Sequence, residues 1–246
     1  MDFSHLFETV DTITPGVASG IFTPAHFVVL SLILLSILFI ARYFRQADAV
    51  TRERLLRTVA VFAIANEILK DVYLLALGQL QWANLPLHLC GINIIVIGLY
   101  LVKRSPKTAE WLYAIGLPGG LVALISPDWA DLPVVNIMFW QANSIHAALV
   151  LFPILLLIDG FRPRIRRLFP IIPWLLGLAA IIFPLNKLLD TNFLFLNEAP
   201  KGTPFEVFEQ LMGNPGYIAA FAGLLAVVWV LMYWPWRETS VVGDDV

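Results

Sequence analysis

PAHFVVLSLILLSILFIARY (24–43) holds no charged residue before Arg42. Twenty mainly apolar residues wound as a helix reach about 30 Å, the thickness of a bilayer's hydrocarbon core. The rest of the chain has the same character: 59% of its 246 residues are hydrophobic and 14% charged, too few polar groups to coat a water-soluble globule. Scanning outward finds six further runs of this kind. The sequence therefore reads as an all-α polytopic membrane protein, one transmembrane domain (1–246) built as a seven-helix bundle. Its spans are expected at about 24–43, 55–77, 85–102, 110–125, 133–158, 168–188 and 216–234.

The connections set the orientation. Arg42, Arg45, Arg52, Arg54 and Arg57 cluster around the first, Lys103, Arg104 and Lys107 in the third, and Arg162, Arg164, Arg166 and Arg167 in the fifth. Basic residues of short loops collect on the cytoplasmic side. The N-terminal segment and the second and fourth connections have no Lys or Arg, and the long sixth has only Lys201. An N-terminus outside and a C-terminus in the cytoplasm follow. The strict alternation also argues against reading the basic loops as nucleic-acid patches. The opening segment carries Asp2, Glu8 and Asp11 with no basic region before an apolar run, so no cleavable signal peptide is expected.

A single cysteine excludes an intramolecular disulfide, and four scattered histidines with one thiol match no zinc or haem spacing. Neither a metal nor a cofactor is expected. The sixth connection (190–215) mixes phenylalanines with prolines. It reads either as an interfacial cap or as a membrane-skimming connector.

The polar residues inside the apolar runs are not scattered. Glu67, Lys70 and Asp71 stand at i, i+3 and i+4 in the second helix and share a face. His88, Cys90 and Asn93 open the third helix; Gln141, Asn143, Ser144 and His146 lie in the fifth; Asn186, Lys187 and Asp190 close the sixth; His26 opens the first. With the orientation above, every one lies at or outside the bilayer's middle. Intramembrane ionisable groups are costly and generally face a protein interior or cavity, so this common depth argues for one polar chamber opening outward.

Each residue also has a plainer reading. Lys70 with Glu67 or Asp71 makes a helix-surface ion pair. Cys90 alone is a small buried hydrophobe, Asn93 an interhelical hydrogen bond, and His146 a satisfied bundle histidine. His88 and Cys90 are two apart and point to different sides of a helix, so they cannot be a nucleophile and its base. A thiol attacks an acyl group when a base on another element takes its proton, and His146 stands at a depth comparable to that of Cys90.

Several elements together resemble the YwaF-like bacterial integral membrane proteins, relatives of the eukaryotic transmembrane protein 164 family. They are NEILKDVY (66–73), LPLHLCGI (85–92), GLPGGLVALISPD (116–128), NSIHAAL (143–149), GFRP (160–163) and NKLLDTNFLFL (186–196). The likeness covers most of the chain, and PLHLC with the downstream Pro-Asp and histidine is its specific part. It departs at Leu189-Asp190-Thr191, where a smaller, glycine-containing turn is expected. The eukaryotic relatives are regarded as lipid acyltransferases using a cysteine and a histidine, which fall on Cys90 and His146. They are similar in turn to membrane hydrolases of fatty-acid esters, the androgen-induced-gene family.

The resemblance implies a multi-pass protein of the bacterial cytoplasmic membrane that acts on a membrane lipid or other fatty-acyl ester, as acyltransferase or ester hydrolase. Cys90 is the expected nucleophile and His146 the general base. Asn93 or His88 would stabilise the oxyanion, Glu67 and Lys70 would organise the chamber, and Asn143, Asn186 and Asn192 would line it or its rim. The alternative is a transporter or receptor-like protein binding an outside ligand through Glu67, Lys70 and the histidines. The almost wholly apolar inner halves of helices three, five and seven weaken a transporter more than a receptor. The sequence leaves the oligomeric state open.

Overall fold

Thr23 and Pro24 start the first helix, α1 (Pro24–Gln46). The Thr23 hydroxyl accepts the His26 N–H at 3.2 Å, and proline at the first helical position gives up an N–H that has no partner there anyway. Beyond Gln46 the chain turns at once into α2 (Ala49–Ala76), capped by Asp48, whose carboxylate accepts the Thr51 N–H at 2.7 Å. That bond holds the Asp48 carboxyl below its ordinary range. Arg52 reaches back over the turn: its Nε donates to the Phe44 and Ala47 carbonyls, both at 3.1 Å, and its guanidinium to the Arg45 carbonyl at 2.8 Å. Carbonyls at a helix end run out of intrahelical donors; here Phe44 O also accepts the Ala47 N–H at 3.2 Å, and Arg52 supplements it. An arginine of the orientation signal thus also closes a helix.

This computed structural model describes residues 3–200 and 203–237; Asp2 and Lys201, used above, lie outside them. Every regular element among the described residues is helical. After α2 come α3 (Leu89–Val102) and α4 (Pro106–Ile125), which widens to a π turn over Leu112–Gly116. Then follow α5 (Ile137–Ile158), α6 (Ile165–Leu189), α7 (Pro204–Met212) and α8 (Gly216–Tyr233). Five helical stretches are long and apolar enough to cross a membrane: α1, α4, α5, α6, and α8 with its extension to Trp236. The other two expected spans do not meet that criterion. The most apolar stretch of α2 still contains Glu67, Lys70 and Asp71, and α3 has 14 residues, roughly 21 Å at 1.5 Å per residue.

Five helix starts differ from expectation: α2 begins at Ala49 rather than at 55 and α6 at Ile165 rather than at 168, and the other three have a local cause. The third helix begins at Leu89 rather than at 85, with Pro86 in the turn ahead of it. Leu85 is extended, as a residue before proline prefers. A Cβ on Gly91 would lie 2.6 Å from the Pro86 Cα, so glycine is what lets the turn fold onto the helix. Gly91→Ala is expected to lower stability in detergent by about 1–3 kcal/mol, the usual cost of overpacking, read as a reduced thermal midpoint. The fourth helix starts early, at Pro106, under a Ser105 cap. The fifth starts late because Asn136 caps it, accepting from Met138 N at 2.8 Å and Phe139 N at 3.2 Å.

The chain divides into two compact units. The first contains the described residues to Leu80 and Gly119–Asp159. In it α1 and α2 pack on α5, which is buried nearly all round through Ile145, Ala148, Leu149, Phe152, Leu155 and Leu156, as suits a central helix. The arginine turn lies at one end, where Arg52 comes within 3.8 Å of Asp159. At the other end Asn136 Nδ2 donates to the His5 and Glu8 carbonyls at 2.7 and 2.8 Å, and Thr9 donates to Gln79 at 2.6 Å. The N-terminal segment is thereby pinned over that end.

The second unit contains Gln81–Pro118 and the described residues from Gly160 onward. Its α7 packs on α8 by a parallel stack of Phe205 on Phe221, centroids 3.8 Å apart. Val207, Leu211 and Met212 of α7 are exposed. Large apolar side chains are also exposed along α6 (Trp174, Leu176, Ile181) and α8 (Val227, Val230, Leu231). Surfaces of that size are rare on soluble monomers and are what hydrocarbon requires.

Candidate functional site

In the first unit the site is built around His146, nine residues into α5. Its Nδ1 lies 2.7 Å from the Ala142 carbonyl, one turn back on the same helix. A carbonyl only accepts, so Nδ1 carries the hydrogen of the neutral ring and Nε2 carries the lone pair. The ring lies flat against Trp129, with centroids 4.6 Å apart and planes inclined by 20°. Glu67 on α2 and Asp128, next to Trp129, are near enough to act on the imidazole electrostatically. Asn143 is buried one turn earlier and donates to the Phe139 carbonyl at 2.8 Å. Asn66 Nδ2 donates to Ser144 Oγ at 2.7 Å and ties α2 to α5 beside the histidine.

On the charged face of α2 Lys70 Nζ stands 2.5 Å from Glu67 and 3.3 Å from Asp71, whose Oδ1 is buried and makes no hydrogen bond among the described residues. His26 accepts the Phe22 N–H at Nδ1 (3.0 Å) and donates from Nε2 to the Leu124 carbonyl at 3.0 Å. Both ring nitrogens are committed, so His26 is a structural histidine. It joins α1 to the end of α4.

In the second unit Cys90 is the second residue of α3 and half-buried. The first helical bond of α3 runs from Ile92 N to His88 O at 3.1 Å. The amides of the turn that contains Cys90 therefore precede the helix's own ladder, as at any helix N-terminus. Asn93 is buried, and its Oδ1 accepts the Trp111 indole N–H at 2.9 Å, fastening α3 to α4. His88 packs edge-on against Phe193 (5.1 Å) and tilted against Phe195 (5.6 Å). The loop after α6 thus presses on the residue two before the thiol.

That loop explains the two asparagines expected at the rim. Asn186, fully buried, accepts the Phe193 N–H and the Thr191 hydroxyl at Oδ1 (2.9 and 3.0 Å) and donates Nδ2 to the Phe193 carbonyl at 2.9 Å. Asn192 accepts from Asn197 N (3.0 Å) and Glu198 N (3.3 Å) and donates to the Glu198 carbonyl at 2.9 Å. Both shape the loop that carries Phe193 and Phe195. The departure at Leu189-Asp190-Thr191 falls where Asp190 takes φ 52, with Leu194 at 57 and Phe195 at 51. Glycine enters this left-handed region freely, aspartate more easily than most residues, and bulky side chains at a cost. Asn186→Ala strands two buried backbone groups of Phe193. It is expected to lower stability by about 1–3 kcal/mol and to speed amide exchange over 190–199, measured by hydrogen exchange with mass spectrometry.

Two centres were not legible beforehand. Trp129 follows the Pro-Asp pair of the resemblance, and nothing local separates it from the chain's seven other tryptophans. Glu110, read only as the first residue of a helix, is fully buried. It accepts the Tyr233 hydroxyl at 2.5 Å and the Arg164 N–H at 3.2 Å, with the Arg167 guanidinium at 3.8 Å. Alongside, Tyr113 donates to the Met232 carbonyl at 2.7 Å and accepts the Trp236 indole at 3.1 Å. A glutamate inside an apolar stretch, next to basic loops, was the available signal.

The sequence model of the TMEM164 family matches residues 21–233, so the chain belongs to that family. No curated protein and no solved structure matches it.

Proposed function

We propose that this member of the TMEM164 family is a seven-helix enzyme of the bacterial cytoplasmic membrane, N-terminus outside, that transfers or hydrolyses acyl groups of membrane lipids in the outer half of the bilayer. In this reading the seven helices form one domain, and α2 and α3 complete the set of spans. Cys90 Sγ gives its proton to His146 Nε2 and attacks the ester carbonyl. The tetrahedral intermediate collapses to a Cys90 thioester, while the departing alcohol oxygen takes the proton from His146. A water or a second lipid hydroxyl, deprotonated by the same nitrogen, then releases the acyl group.

The observation that carries the reading is the His146 tautomer. The Ala142 carbonyl fixes the hydrogen on Nδ1, so in the neutral ring Nε2 carries the lone pair that a general base requires. Supporting it are the family match and the place of Cys90 in the opening turn of α3. There, amide donors and the helix dipole favour developing negative charge. Asn93, tied to Trp111, positions α3, and His88 stands beside the oxyanion. Asn143 and the Glu67–Lys70 pair steady the His146 side, and Asn186 and Asn192 shape the rim. Lys70 is paired with Glu67 and lies 3.3 Å from Asp71, so this reading gives it a structural duty in place of ligand binding or transport.

The test is intact-mass analysis of purified protein after incubation with a mixed phospholipid pool. A hydroxylamine-labile acyl adduct is expected on the wild type and absent from Cys90→Ser. Lipid turnover undiminished in Cys90→Ser would overturn the mechanism.

A further inference from the structure

Of the eight tryptophans, four donate their indole N–H to an acceptor: Trp111 to Asn93, Trp140 to the Val134 carbonyl, Trp229 to the Ala114 carbonyl and Trp236 to Tyr113. Three others, Trp82, Trp174 and Trp234, are exposed by more than 60%. Trp129 differs from both groups. It is 7% exposed, and its Nε1 is buried with no acceptor among the described residues. Folded proteins leave few buried donors unpaired, because a lost hydrogen bond in an apolar setting is expensive. An orphaned donor of this kind needs a reason.

Its position supplies one. Trp129 lies flat on His146 at 4.6 Å, the two planes within 20° of parallel. An indole N–H points along its own ring plane. An oxygen accepting from it therefore sits in a layer next to that of the imidazole, about one stacking distance away. The remaining neighbours select the kind of molecule that brings the oxygen. Trp129 packs in a cluster with Val29, Leu132 and Phe139, flanked by Ile13 and Ile33. A charged phosphate would lose its hydration there without compensation, whereas the carbonyl of a fatty-acyl ester brings an acceptor joined to an apolar chain.

We propose that the Trp129 indole N–H binds the carbonyl oxygen of the acyl ester and holds it in the layer beside His146. The proposal rests on the reading of His146 as the base and adds the group that fixes the ester against it. Phenylalanine at this position keeps the flat apolar stack and removes only the donor.

The test reads binding and needs no turnover. Wild type and Trp129→Phe in lipid nanodiscs, with [15N]indole-labelled tryptophan, are titrated with 2-heptadecanone, which has a carbonyl and no leaving group, and with heptadecane, which has no acceptor. The wild type is expected to bind the ketone about tenfold more tightly than the alkane, the worth of one good hydrogen bond. One indole proton should move downfield with the ketone alone. Trp129→Phe should lose both the preference and the moving resonance. Equal preference in the two proteins, or none in the wild type, overturns the proposal. Should Trp129→Phe fail to fold, the wild-type spectrum decides by itself: no indole resonance responding to the ketone overturns it, and Trp129→Tyr assigns one that does. Loss of the preference in Trp129→Phe together with full lipid turnover in Cys90→Ser would retain the carbonyl site and remove the cysteine mechanism, so the two failures are distinguishable.

Discussion

His146→Ala is expected to slow formation of the acyl adduct on Cys90 by about 10²–10⁴-fold, the range for removing a general base, while the protein stays folded. The side chain makes a bond to its own helix and a stack on Trp129. Alanine removes these contacts and leaves the buried neighbours Ile145, Ala148 and Leu149 of the same helix in place. The Ala142 bond makes a second variant informative. His146→Gln retains an amide able to donate to a carbonyl but has no nitrogen that accepts a proton near neutrality. It should restore whatever stability the alanine loses without restoring the rate. Single-turnover kinetics by mass spectrometry, paired with thermal unfolding in the same detergent, separate the two effects. An adduct forming at the wild-type rate on His146→Ala would remove this histidine from the mechanism.

The largest stability effect is expected at Glu110. The carboxylate is wholly buried, held by the Tyr233 hydroxyl at 2.5 Å and the Arg164 amide at 3.2 Å, with Arg167 at 3.8 Å. Together these tie α4 to the end of α8 and to the turn leading into α6. Glu110→Ala leaves Tyr233, 5% exposed, and the Arg164 amide without their acceptor and opens a cavity. Breaking a buried charged network from one side costs about 3–5 kcal/mol. Tyr233→Phe removes one donor and keeps the volume, so about 1.5–3 kcal/mol is expected, the scale of a hydrogen bond to a charged group. The double variant should lose less than the sum, because the two side chains share one interaction. Unfolding midpoints of the four proteins check this, and strict additivity would mean that the bond contributes nothing. Lipid turnover per folded molecule should stay unchanged, since neither residue belongs to the proposed acyl site.

Much of the architecture was legible in the chain. Long apolar runs force helices, because lipid offers backbone groups no partner and only a helix pairs them within the segment. Composition and the 24–43 run were enough for that. Caps were readable in principle as well: Ser105-Pro106 and Asn136 are ordinary start signals. They account for the start of α4 at Pro106 and of α5 at Ile137. The polar residues stand out against their apolar runs, and the motifs that contain them carry the resemblance to the family. Their individual duties did not follow. Asn186 and Asn192 look alike in sequence to a residue facing substrate, and only the fold shows their amides spent on the loop bearing Phe193 and Phe195. His26 and His146 are equally apolar in their surroundings. Only the fold shows His26 bonded to the backbone through both nitrogens, and the His146 tautomer set by the Ala142 carbonyl.

By itself the sequence determined the helical class and five long apolar spans, which depend on side-chain polarity summed over a local stretch, and its motifs carried the family resemblance. Tertiary structure decided which buried polar groups are paired and which are left over. Glu110 finds its partners 54 and 123 positions away, and Trp129 meets His146 across a turn and ten residues of helix. Pairing of that kind is set by where distant segments pack, and the polarity of a residue's own neighbours carries no record of it.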